Sequence, residues 1–249
     1  MDAQPEHRFQ GRVALVTGAS GGIGRAICIR LAAEGAALAL AYGANAGPAT
    51  ELADRIEADG GRAIAVGADL RRAEAPAELV DAVEAALGPV DVLVSNAGSG
   101  RRQSLADVSG EDFDEMLAVN LRAPFLLAQR LVPAMSERGF GRVLFMSSVA
   151  AFTGGIVGPH YAASKAGLHG LTHFLAARFA ASGVTVNALA PALIAETGML
   201  PGDPVELGER VPVRRLGRPE EVADFALSIL SNSYVTNQVI SIDGGIHPR

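Results

Sequence analysis

The chain has 249 residues, 49% hydrophobic and 19% charged, with a net charge of -6. That is enough to bury one sizeable core, and it offers no long basic run with which to track nucleic acid. Its apolar runs are strand-sized, too short to cross a bilayer as helices, and residues 1–10 lack the apolar middle of a secretory signal, so neither nucleic acid nor membrane is expected as a partner and a cytoplasmic setting is.

The first apolar run, 12–17, ends in Gly18-Ala19-Ser20-Gly21-Gly22-Ile23-Gly24, and residues 25–34 then carry apolar side chains at helical spacing. A strand, a glycine turn and a helix in that order suit a dinucleotide. Gly18, Gly22 and Gly24 let the chain turn sharply and let a pyrophosphate approach the helix start, where N–H groups lack helical partners. Cys28 lies on the apolar face of this helix and reads as a core residue.

Strand and helix then alternate: strands at 36–42, 62–67 and 90–95, with helices at 49–59 and 77–87. The pattern predicts an α/β fold: a single-domain, Rossmann-type, doubly wound parallel sheet of about seven strands with helices on both faces. One domain covers 1–249, with 1–10 as an N-terminal extension. Residues 111–135 read as one long helix interrupted at Pro124, which kinks it or marks a rearranged turn beside Asn120. A strand at 142–146 delivers Ser147-Ser148 to the carboxyl edge of the sheet, where such folds bind ligands. A helix at 160–182, a strand at 184–190, an irregular stretch at 191–212, a helix at 219–230 and a strand at 239–242 complete the chain.

Tyr161 and Lys165, four residues apart, share one helical face. An ammonium beside a phenol favours the phenolate and makes the pair a candidate for proton transfer, although the spacing alone also fits an ordinary solvated pair. The five histidines form no metal-ligand pattern, and no metal is expected. The arginine pairs at 71–72, 101–102 and 214–215 read as solvated loops.

Taken together, Thr17-Gly18-x-x-x-Gly22-Ile23-Gly24, Asp69-Leu70, Asn96-Ala97-Gly98, Asn120, Ser148, Tyr161-x-x-x-Lys165, Pro191 and the near-terminal Ser241-Ile242-Asp243-Gly244-Gly245 resemble a classical short-chain dehydrogenase/reductase. Within that family the nearest likeness is to the 3-oxoacyl-[acyl-carrier-protein] reductase-like branch. The resemblance implies a ketone/alcohol oxidoreductase and a catalytic set of Asn120, Ser148, Tyr161 and Lys165. Ser148 would polarise the substrate carbonyl, Tyr161 would move the proton, Lys165 would lower the tyrosine pKa and hold the nicotinamide ribose, and Asn120 would secure a water linking the lysine to solvent. Cofactor contacts are implied for Gly18, Ser20, Gly22, Ile23, Gly24, Asp69, Leu70, Asn96, Ala97, Gly98, Tyr161, Lys165, Pro191, Ile194 and Thr197.

No acid occurs between Glu34 and Glu51, so nothing at the end of the second strand repels a 2′-phosphate. NADP is therefore favoured over NAD, with Tyr42 and Asn45 as neutral neighbours of the phosphate. Residues 192–212 read as a substrate lid, and Leu193, Met199, Leu200 and Phe152 as an apolar pocket suited to an acyl thioester or another small-molecule ketone. Carrier-protein reductases commonly present arginines where this chain has Gly139 and Ser182, which counts against a carrier protein. Sugar, steroid-like or cyclic alcohols are the alternative substrates, and a silent dinucleotide-sensing scaffold is the rival class. The family also implies a homotetramer; Leu168, Leu171, Leu175 and Phe179 would face either a neighbour or the chain's own core.

Overall fold

Every residue of the first strand, β1 (Val13–Thr17), is buried, and alternate side chains enter different cores. Ala14 and Val16 join one apolar cluster, Val13 and Leu15 the other. A strand buried on both faces must run through the middle of a sheet covered on both sides, which is why its sequence is a continuous apolar run. In this computed structural model residues 7–198, 200 and 202–247 are described, so the readings that fall on residues 1–6 and on Met199 lie outside the described residues.

The other strands are β2 (Ala37–Tyr42), β3 (Ala63–Gly67), β4 (Val92–Ser95), β5 (Gly141–Met146), β6 (Val184–Pro191) and β7 (Val239–Ile242). All pair in parallel, in the order 3-2-1-4-5-6-7. The chain first builds outward from β1 to β3, then returns to lay β4 on the other side of β1. Loops leaving the carboxyl ends of β1 and β4 therefore diverge and leave a crevice between them.

The helices in chain order are α1 (Gly22–Ala33), α2 (Gly47–Ala58), α3 (Ala75–Leu87), α4 (Gly110–Leu117), α5 (Ala123–Glu137), α6 (Ala150–Thr153), α7 (Pro159–Phe179), α8 (Pro204–Arg210) and α9 (Pro219–Ser231). Helices α1, α2 and α9 cover one face through residues such as Ile27, Leu31, Leu52 and Val222. The other face is covered by α3, α5 and α7, through Leu79, Leu127, Leu131 and Leu168. Leu175 is buried in that second core, and Leu171 and Phe179 pack against it, so this stripe of α7 serves the chain's own interior. Cys28 is fully buried in the first core, where burial pushes its thiol pKa up.

Three local features differ from the periodicity. The long helix at 111–135 is divided: α4 ends at Leu117, Ala118–Arg122 forms a π-helical turn, and α5 begins at Ala123. Pro124 sits in the first turn of α5, where its missing N–H is tolerated; in an unbroken helix its ring would collide with the Asn120 carbonyl, and the wider turn relieves that clash. Within the stretch at 191–212, which proline and glycine made irregular by sequence, α8 forms because Asp203 caps it. Its Oδ1 accepts from the N–H groups of Val205 at 2.8 Å and Glu206 at 3.2 Å, and Pro204 takes the first helical position. The short α6 follows β5 without having been anticipated. Among the described residues no helix is long and apolar enough to cross a membrane.

Candidate active site

At the end of β1 the chain turns at Gly18, with φ of 67°. A Cβ there would lie 2.9 Å from Ala97 Cα, and one at Gly24 would lie 2.2 Å from the Gly18 carbonyl oxygen, so α1 can start directly behind the turn only with glycine at both positions. The buried Thr17 hydroxyl accepts from the N–H groups of Asn96 at 3.0 Å and Ala97 at 2.9 Å. Asn96 Nδ2 returns two bonds, to the carbonyls of Thr17 at 3.0 Å and Gly18 at 3.2 Å. Asn96 and Ala97 thus lock the two loops that form the crevice.

The crevice is a cleft of about 570 Å³, within the range of small-ligand sites. It is lined by Gly18, Ser20, Gly22, Ile23, Gly24, Tyr42, Asp69, Leu70, Asn96, Ala97, Gly98 and Thr197 among the residues singled out in the sequence. No side chain caps the N-terminus of α1 and no acid occupies its first turn, so its N–H groups are suited to a pyrophosphate. The end of β2 presents Tyr42, Gly43 and Ala44 to the cleft, with no carboxylate.

Five of the implied cofactor residues lie outside this wall: Tyr161 and Lys165, beside it on α7, and three others. Asn45 is exposed beyond Ala44, and Pro191 is buried at the end of β6. Ile194 turns its side chain into the core against Gly217, where a Cβ would lie 2.6 Å from Ile194 Cδ1. Gly22 has a contact the motif did not suggest: a Cβ on it would lie 2.5 Å from the carbonyl oxygen of Glu196, a residue held at φ of 59°.

Beside the cleft, β5 and α7 bring the reactive groups together. Ser148 Oγ accepts from Ala150 N–H at 3.2 Å, and its hydroxyl stands beside the phenol of Tyr161. Burial pushes the Tyr161 pKa up, and the Ser148 hydroxyl draws it part of the way back. The Lys165 ammonium lies 5.8 Å from the tyrosine ring centre and donates to the Met146 carbonyl at 2.8 Å. Burial brings its pKa down to about 8.

Asn120 is completely buried. Its Nδ2 donates to the Ser99 carbonyl at 3.0 Å and to Ser164 Oγ at 3.1 Å, while Oδ1 accepts from Ser99 N–H at 2.8 Å. Both Lys165 Nζ and Asn120 Oδ1 border Gly98, where a Cβ would lie 3.2 Å and 3.3 Å from them. Glycine at 98 therefore leaves the gap that the ammonium and the amide oxygen share.

Some participants were not found in the sequence. Ser164, one turn beyond Tyr161, accepts from Asn120 and donates to the Tyr161 carbonyl at 2.7 Å. Its place in Tyr161-Ala162-Ala163-Ser164-Lys165 was the available signal. Arg71, read as a solvated loop residue, lines the cleft with Ser99, Glu115 and Val119. Its neighbour Arg72 does pair outside, with Glu78.

A phenol beside a serine hydroxyl, with a buried ammonium one turn along its helix, is equipped to move a proton at a carbonyl oxygen. Set at the edge of a dinucleotide-sized cleft in this parallel sheet, it defines the oxidoreductase class of the short-chain dehydrogenase/reductases. The comparisons agree: the short chain dehydrogenase family matches residues 12–204, and the chain belongs to it. Acetoacetyl-CoA reductase of Rhizobium meliloti is 40% identical over 241 residues, covering 94% of this chain and 98% of that protein. A 3-oxoacyl-[acyl-carrier-protein] reductase of Synechocystis sp. is 37% identical over 240 residues, covering 94% and 96%. Among solved structures, a blue fluorescent protein from a metagenomic library, in complex with NADPH, superposes with a TM-score of 0.90 at 36% identity, covering 96% of this chain and 99% of that one.

Proposed function

We propose that the protein is an NADPH-dependent reductase that interconverts a ketone and a secondary alcohol, with 3-oxoacyl thioesters as its substrate class. The observation that carries this reading is the placing of the Ser148 hydroxyl beside the Tyr161 phenol, with the buried Lys165 one turn along the same helix. The similarity to acetoacetyl-CoA and 3-oxoacyl-[acyl-carrier-protein] reductases supports the substrate class. NADPH is favoured over NADH because Tyr42, Gly43 and Ala44 carry no charge that repels a 2′-phosphate, and the neighbour that holds NADPH supports the same choice.

In this reading the glycine loop and Ser20 hold the pyrophosphate side, and Tyr42 and Asn45 flank the 2′-phosphate. Asp69 and Leu70 bound the adenine, and Asn96, Ala97 and Gly98 line its ribose. Pro191, Ile194 through its main chain, and Thr197 face the carboxamide. When bound, the nicotinamide supplies the hydride. Ser148 donates to the substrate oxygen as negative charge develops there. Tyr161 then gives that oxygen its proton. Lys165 stabilises the phenolate left behind and holds the nicotinamide ribose hydroxyls, and a water in the gap beside Gly98, between Lys165 and Asn120 Oδ1, replaces the proton.

Residues 192–212 form the substrate lid of a single catalytic domain, and the protein works as a cytoplasmic homotetramer. The exposed Phe113, Phe125 and Phe174 on α4, α5 and α7 support the assembly. One observation favours a second reading, a small-molecule alcohol dehydrogenase: Gly139 and Ser182 offer no cations to an acidic carrier. The test follows NADPH and NADH consumption against 3-oxoacyl thioesters of coenzyme A and of a carrier protein, diketones, and sugar and steroid ketones. Faster turnover of thioesters with NADPH is expected; turnover confined to free ketones selects the second reading.

A further inference from the structure

The adenine end of the cleft holds a three-charge arrangement that spans from the loop after β3 to α4. Arg71 grips Asp69 in a fork, Nε to Oδ1 at 2.8 Å and Nη2 to Oδ2 at 2.8 Å, and its own N–H donates to Oδ1 at 3.1 Å. On its far side Arg71 Nη1 lies 3.6 Å from Glu115 Oε1 of α4. The Arg122 side chain donates to the Arg71 carbonyl, so one helical segment restrains Arg71 by both side chain and main chain. Asp69, Arg71 and Glu115 all line the cleft.

A carboxylate offers about four lone-pair directions, and Arg71 takes three of those on Asp69. One direction is left, on Oδ2, and it is fixed rather than free to rotate, because a bidentate guanidinium holds the carboxylate plane. The geometry points to Arg71 as a specificity-determining residue that aims Asp69 at a single N–H donor, the exocyclic 6-amino group of the cofactor's purine. Arg71 also holds the Asp69 carboxyl below the usual range, which keeps it an acceptor at every working pH. A purine with oxygen in place of that amine would set an acceptor against an acceptor and leave the carboxylate unpaired. The same arrangement divides the 71–72 pair: Glu78 holds Arg72 away from the cleft, and Asp69 and Glu115 hold the exposed Arg71 at its mouth.

The test measures Kd by titration calorimetry without ketone, and KM and kcat at saturating ketone, for NADPH and its 6-oxopurine (hypoxanthine) analogue in the wild-type enzyme and in Arg71→Met and Arg71→Lys; the Kd ratio between the nucleotides should follow the KM ratio. Wild type should show a KM at least about tenfold higher for the analogue with kcat little changed. Arg71→Met should narrow that ratio to within about threefold, mainly by losing affinity for NADPH, and Arg71→Lys, which keeps the charge but not the fork, should fall between. A merely structural arginine would lower kcat with both nucleotides alike and leave the ratio untouched. That outcome, or equal use of both nucleotides by the wild type, overturns the assignment. Since the readout is a ratio between nucleotides on whichever ketone is turned over, it stands apart from the choice of substrate.

Discussion

Asn120 and Ser99 hold each other by two hydrogen bonds, Ser99 N–H to Oδ1 at 2.8 Å and Nδ2 to the Ser99 carbonyl at 3.0 Å. The pair ties the loop after β4 to the π-helical turn and so sets the width of the gap beside Gly98. Asn120→Ala removes both bonds and leaves buried polar groups without partners, so a loss of about 1–3 kcal/mol in urea denaturation is expected, together with slower turnover. Unfolding free energy within about 0.5 kcal/mol of wild type would show that the clasp does not stabilise the fold.

Tyr161→Phe and Lys165→Ala should each lower kcat by at least about 10²-fold while circular dichroism shows the fold retained. A folded variant turning over at a near-normal rate would remove that residue from the proton-transfer set.

The buried Lys165 gives stability a particular pH dependence. Its pKa is brought down to about 8 in the folded chain from an ordinary 10.5, so between those values the unfolded state binds more protons. Below about pH 8 the folded state bears the cost of a buried ammonium, and that cost lifts as pH rises toward 10.5. Relative to Lys165→Met, which carries no charge at any pH, wild type should gain stability from pH 7 to pH 9.5 in paired denaturant titrations. A difference that stays constant or moves the other way would mean the ammonium is not desolvated.

A Cβ at position 98 would press on Lys165 Nζ and Asn120 Oδ1 together. Gly98→Ala is expected to cost about 1–3 kcal/mol of stability and to reduce kcat more than it raises the cofactor KM, because the intrusion falls at the proton-transfer end. Steady-state kinetics separates the two effects; a change in cofactor KM alone would place the gap elsewhere.

Tyr42 lines the cleft where β2 ends. Tyr42→Asp introduces a carboxylate there and should shift the kcat/KM ratio toward NADH by about tenfold or more. An unchanged ratio would mean the discriminating contact lies at another residue.

Much of this architecture can be read from the sequence because its signals are local. The run 12–17 followed by Gly18, Gly22 and Gly24 announces β1 and α1, and the four-residue spacing of Tyr161 and Lys165 holds on α7. Features that depend on distant partners are not legible. Gly22 meets Glu196, far along the chain, and Ile194 turns inward because Gly217 leaves room for it. Arg71 resembles any loop arginine until folding sets Glu115 opposite it. The capped α8 was hidden by its prolines and glycines, although Asp203-Pro204 is itself a helix-start signal. The division of 111–135 was half visible: Pro124 marked the interruption, but the π-helical turn that accommodates it lies just upstream.

The Glu196 carbonyl resting on Gly22 joins the glycine turn to the root of the segment that follows β6. The two ends of the cleft therefore share one backbone contact, and any side chain at position 22 would displace both at once.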